Sequence, residues 1–80
     1  MKKYDFNRET EFSMFVGTDR EIRSLYSELL KRHYAPTFCN FPKFRKGSLY
    51  GLMFEWSDYF QTFEFSVVNA ETALGIITGC

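Results

Sequence analysis

Between residues 18 and 34 the apolar side chains recur every three or four positions. Ile22, Leu25, Tyr26, Leu29, Leu30 and His33 form one stripe, and Arg20, Arg23, Ser24, Ser27, Glu28, Lys31 and Arg32 cover the other side. That is the spacing of an amphipathic helix. Thr18-Asp19-Arg20-Glu21 has the form of a capping box, with the Thr18 hydroxyl serving the helix amides and Glu21 reaching back to the Thr18 amide. Lys31, Arg32 and His33 suit the negative end of the helix dipole, and Pro36 forbids continuation. The pattern predicts a helix over residues 19–34.

The period then changes. Phe12, Met14 and Val16 alternate with Ser13 and Phe15, which predicts a strand over residues 10–16. A second strand is expected over residues 37–41, ended by Pro42. In Tyr50-Gly51-Leu52-Met53-Phe54-Glu55-Trp56 the even positions are large and apolar, and from Tyr59 to Val67 the odd positions mostly are. A turn at Ser57-Asp58 sets Trp56 opposite Tyr59, Leu52 opposite Phe63 and Tyr50 opposite Phe65, which puts both apolar sets on one face. Ser-Asp is not a favoured two-residue turn, so a four-residue loop with the same pairing is the other option. Asn69 can cap a last helix through Ala70, Glu71, Ala73, Leu74 and Ile77 with Gly79 as its stop. Leu74-Gly75-Ile76-Ile77 also reads as a strand.

The order strand, helix, three strands, helix predicts an α+β fold. It is a single domain over residues 1–80, with an antiparallel-rich sheet of about four strands (β-α-β-β-β-α) and one long amphipathic helix packed on it. Aromatic residues make up 20% of the chain, which gives so short a sequence enough apolar area for a core. Tyr4-Asp5-Phe6-Asn7-Arg8-Glu9 is not the apolar centre of a secretory signal, and no apolar run approaches membrane-spanning length. The expectation is a cytoplasmic protein that does not contact the membrane, with Cys39 and Cys80 as free thiols.

Net charge is zero, which argues against a duplex-DNA binder and against an acidic mimic, since both need a large field of one sign. The charges are nevertheless segregated. No acid lies between Glu28 and Glu55, where Lys31, Arg32, Lys43, Arg45 and Lys46 fall; after Lys46 only acids remain.

Catalytic chemistry finds little support. His33, the only histidine, reads as a helix-end or half-buried packing residue, and no motif supports its pairing with Cys39. In the expected hairpin register Glu55 and Glu64 lie on the order of 14 Å apart, too far for a glycosidase pair at about 5–9.5 Å. No short-spaced metal ligands and no phosphate-binding glycine loop are present, so no metal and no cofactor is expected.

Two binding surfaces remain. Phe15, Leu49, Met53, Glu55, Phe60 and Glu64 are expected on the second face of the sheet as an apolar patch rimmed by acids, suited to a protein partner or to a second copy in a homodimer. The bland alternative is that the C-terminal segment covers this face. The other surface is the segment FPKFRKGSLYG. There Lys43, Arg45 and Lys46 could contact phosphates while Phe44 or Tyr50 stacks on a base, as in RNA or single-stranded-DNA binding; the bland alternative is that Phe41 and Tyr50 are core and the cations form a solvated turn that also guards a sheet edge. The leading expectation is a small non-enzymatic protein-binding module. In size and composition it resembles the inhibitors that phages and mobile elements direct against host defence complexes, anti-CRISPR proteins among them. Nucleic-acid binding through the 41–50 loop is the alternative.

Overall fold

Local signals set the helix ends. In the computed structural model, which describes residues 1–37 and 43–79, Glu21 N–H donates to Thr18 Oγ1 at 3.3 Å and Thr18 N–H donates to Glu21 Oε1 at 3.0 Å. The reciprocal capping box opens helix α1 (Asp19–Lys31). Its stop comes earlier than the expected residue 34. His33 adopts a left-handed φ of 63°, its N–H donates to Leu30 O (3.0 Å), and Tyr34 N–H donates to Leu29 O (3.2 Å). These two bonds form a Schellman motif, with a histidine where glycine is usual. Leu30 and His33 are consequently exposed, and only Ile22, Leu25, Tyr26 and Leu29 of the stripe face the sheet.

Among the described residues the sheet has five strands. Along the chain they are β1 (Lys2–Asn7), β2 (Phe12–Thr18), β3 (Ala35–Pro36), β4 (Leu49–Ser57) and β5 (Thr62–Asn69), and helix α2 (Ala70–Thr78) follows. Across the sheet the order is β1-β2-β4-β5-β3. Neighbours are antiparallel except β3, which runs parallel to β5. The fold is α+β and antiparallel-rich, as expected, with β1 as an additional edge strand. Most of the strand expected over residues 37–41 lies outside the described residues, as do Cys39 and Cys80. Thr37 itself donates to Phe65 O at 2.8 Å. The segment over residues 69–79 is helical: Asn69 Oδ1 accepts from Thr72 N–H at 2.8 Å, and Gly79 closes the helix.

The hairpin register is shifted from the expected one. Trp56 pairs with Phe63, Phe54 with Phe65 and Leu52 with Val67, four residues from the expected partners, around a four-residue turn over residues 58–61. Gln61 takes a φ of 54° in that turn. A shift of four preserves the face of every side chain, so the apolar face is the expected one although the pairs are not.

Each face of the sheet carries one helix. On one face Ile22 and Leu29 of α1 pack with Tyr50, Leu52, Phe65 and Val67, and Phe15, Leu25 and Tyr26 border this core. On the other, Ala73 of α2 sits over Gly51 beside Met14 and Val68. A β-carbon at Gly51 would lie 2.7 Å from the Ala73 β-carbon, so the missing side chain lets α2 seat on the sheet.

Candidate binding surfaces

The residues expected to form one protein-binding patch are divided by the sheet. Phe15 pairs with Leu52 and therefore faces α1, whereas Met53, Glu55 and Glu64 face the α2 side together with Phe12 and Met14. Both faces of β2 are apolar, and the pairing with β4 decides which meets which helix. Leu49 is exposed near the α1 N-terminus, and Phe60 lies in the turn rather than in a strand. The second hairpin face is covered by α2 around Gly51; its other end stays open as a depression of about 220 Å³ lined by Phe12, Thr37, Met53, Glu55, Glu64 and Ser66.

In that depression Glu55 and Glu64 are directly opposed across β4 and β5. The expected separation on the order of 14 Å is therefore overturned, because opposed residues have Cα atoms only about 4.5–5.5 Å apart. Opposed like charges destabilise a sheet. Among the described residues the lining holds no third titratable group.

The end of the hairpin is aromatic. Phe54 and Phe63 stack with centroids 4.6 Å apart, and Trp56 and Tyr34 meet Phe63 edge-on at 5.2 and 5.3 Å. Beyond this half-buried column the turn presents Tyr59, 89% exposed, and Phe60, 54% exposed, in edge-to-face contact at 4.9 Å. Side chains pin the turn: Phe60 N–H donates to Ser57 Oγ (3.3 Å), Trp56 Nε1–H to Asp58 Oδ1 (3.0 Å) and Gln61 Nε2–H to Asp58 O (2.7 Å). The neighbouring β1–β2 turn is tied alongside by Trp56 N–H donating to Thr10 O at 2.8 Å. Glu9, Glu11 and Asp58 outnumber Arg8 at this end and make it acidic. Sequence reasoning placed Phe60 on one strand face and Tyr59 on the other, opposite Trp56; both lie in the turn instead, because the turn position depends on the register.

The basic segment sits at the opposite end of the sheet, where Gly47 N–H donates to Asp19 Oδ1 (3.0 Å) and Asp19 N–H to Ser48 O (2.9 Å). Tyr50 is core: it is 4% exposed, and its hydroxyl accepts from Arg45 N–H (2.6 Å) and donates to Lys43 O (2.9 Å). Phe44 packs edge-on to Tyr50 at 4.9 Å, with the Arg23 guanidinium over its ring at 4.7 Å. Both rings thus hold the loop in place, and neither presents an open stacking face. Lys43, Arg45 and Lys46 are exposed. Among the described residues no carboxylate lies within ion-pair distance of them or of Arg20 and Arg23. The unequal charge of the sequence thus becomes two poles, a basic end by the α1 N-terminus and an acidic, aromatic end at the turns.

Two carboxylates titrate below their ordinary range. Glu21 is lowered to about 2, first by the Thr18 amide and then by the Met1 amino group at 2.9 Å. Asp5 is lowered, chiefly by the Ser13 hydroxyl, which donates to it at 2.9 Å. Both serve local structure. Among the described residues no cluster of side chains could hold a metal ion, and no helix is long and apolar enough to cross a membrane.

Compared with known proteins, the chain matches no family model, no curated protein and no solved structure.

Proposed function

We propose that this protein is a non-catalytic module that docks on another protein through the aromatic end of the β4–β5 hairpin. The observation that carries the reading is Tyr59 and Phe60 held out to solvent on a turn pinned by three side-chain hydrogen bonds. Binding energy concentrates in a few aromatic anchors, and a preordered anchor loses little entropy on binding. The acids around it favour a partner with a basic surface. An inhibitor of a host protein complex acting in the cytoplasm is the biological role we assign to such a module. The test is capture from a cell lysate, with and without nuclease, by wild type and by Tyr59→Ala/Phe60→Asp. The expected result is a protein that survives nuclease and is lost with the variant. Capture abolished by nuclease, or undiminished by the variant, refutes the reading.

A second reading rests on the unpaired cations at the basic end. They suit phosphates, and with Phe44 and Tyr50 occupied in packing such binding would be insensitive to sequence. Oligonucleotide affinity that falls steeply with salt and is lost in Lys43→Ala/Arg45→Ala/Lys46→Ala is its signature.

A further inference from the structure

We infer that a second copy of this chain pairs with the free edge of β1, joining two sheets into one across a twofold axis at Tyr4. Strand β1 closes the sheet on one side, and its outer edge has no strand partner among the described residues. An edge strand presents unpaired N–H and C=O groups, and another strand is the natural ligand for them. All of β1 is exposed except Tyr4, which is half-buried, and it contains neither proline nor glycine.

Charge selects the occupant. With Tyr4 opposite Tyr4 of the second copy in an antiparallel pair, Lys3 of each strand faces Asp5 of the other on the same side of the sheet. The sequence Lys3-Tyr4-Asp5 is its own electrostatic complement, and its twofold symmetry closes the interface instead of propagating a fibre. The poles agree with this pairing. An antiparallel arrangement brings the basic end of each protomer beside the acidic turns of the other, whereas a parallel one sets like poles together. Lysines and bulges often guard a sheet edge against such pairing. Here the Lys3 ammonium lies 3.4 Å from Asp5 of its own strand, so the middle of the edge carries no net charge to repel a second copy, and the bulge falls between Asp5 and Asn7, beyond the centre of the pair. With the dyad at Tyr4, Lys2 falls opposite Phe6, which lies in the bulge, so regular pairing is confined to Lys3–Asp5. This surface is separate from the hairpin end and from the proposed partner.

The test is sedimentation equilibrium at low salt on wild type, Lys3→Asp, Asp5→Lys and an equimolar mixture of the two variants, with circular dichroism to establish folding. Wild type is expected to dimerise and to dissociate as salt rises. Each single variant sets like charges opposite each other at two symmetry-related places, and its dimer should weaken by about tenfold or more. The mixture should dimerise again, because an acidic strand then meets a basic one. A wild type that remains monomeric at millimolar concentration overturns the proposal. So does a dimer that both variants leave unchanged, or a mixture that fails to recover. Asp5→Lys also loses the Ser13 bond, so a second measurement is made on wild type alone: exchange of the amides within Lys3–Asp5 that point away from β2 should slow as concentration rises. Exchange there that is independent of concentration rules out the pairing.

Discussion

Replacing Gly51 by alanine tests how α2 is held. The new β-carbon would lie 2.7 Å from the Ala73 β-carbon, 2.9 Å from Met14 Sδ and 3.1 Å from Val68 Cγ2. The Met14 thioether can rotate away. The Ala73 β-carbon is rigidly attached to the helix backbone, and Val68 to β5, so α2 must lift or the core must strain. Overpacking of this kind costs about 1–3 kcal/mol. Restricting the unfolded chain by replacing glycine offsets about 0.4–1 kcal/mol, which leaves a net loss of up to about 2.6 kcal/mol and about 1.3 kcal/mol at mid-range. Ala73→Gly alone should also destabilise, by about 1 kcal/mol of helix propensity and about 0.8 kcal/mol for one buried methyl. In the double variant the second change makes room for the first, so its loss should fall short of the sum by about 1 kcal/mol or more. Urea unfolding of the four proteins measures the coupling, and hydrogen exchange in residues 70–78 reports whether α2 has lifted. Additive losses, or a Gly51→Ala protein as stable as wild type with α2 fully protected, would refute the seating of α2 on this glycine.

Three further outcomes follow from the packing. His33→Gly should stabilise the protein by about 0.5–1 kcal/mol, because a non-glycine residue at a left-handed φ of 63° is strained; an unchanged or lower urea midpoint contradicts that. Phe65→Ala should cost about 3–5 kcal/mol, since Phe65 is 1% exposed, and half-buried Phe63→Ala should cost clearly less; the reverse ranking would restore the register in which Phe63 faces Leu52. Glu21 has a folded pKa of about 2 against an ordinary 4.5, so its stabilisation is complete above pH 4.5 and disappears as pH falls toward 2. The stability difference between wild type and Glu21→Gln should shrink over that window, and a difference constant from pH 7 to pH 2 would exclude the carboxylate as its source.

The sequence alone determined what depends on neighbours along the chain. Thr18 and Glu21 cap α1 through groups three residues apart, Asn69 caps α2 in the same way, and alternation in β4 and β5 assigns each side chain to a face. Helix-end histidine, core Tyr50 and the segregation of charge were also legible, because they follow from local spacing and order. Tertiary structure decided what period and spacing leave degenerate. A hairpin shifted by four residues keeps every face, so only the turn over residues 58–61 and the packing of Phe65 and Val67 under α1 select the true pairs, and with them the meeting of Glu55 with Glu64 and the exposure of Tyr59. Strand β2 is apolar on both sides, so its orientation comes from pairing with β4; this is why Phe15 joins the α1 core and Phe12 and Met14 lie under α2. Strand β1 has almost no buried side chain to leave a pattern in the sequence, and pairing with β2, supported by the Ser13–Asp5 hydrogen bond and the Phe6–Phe12 contact, places it at the edge.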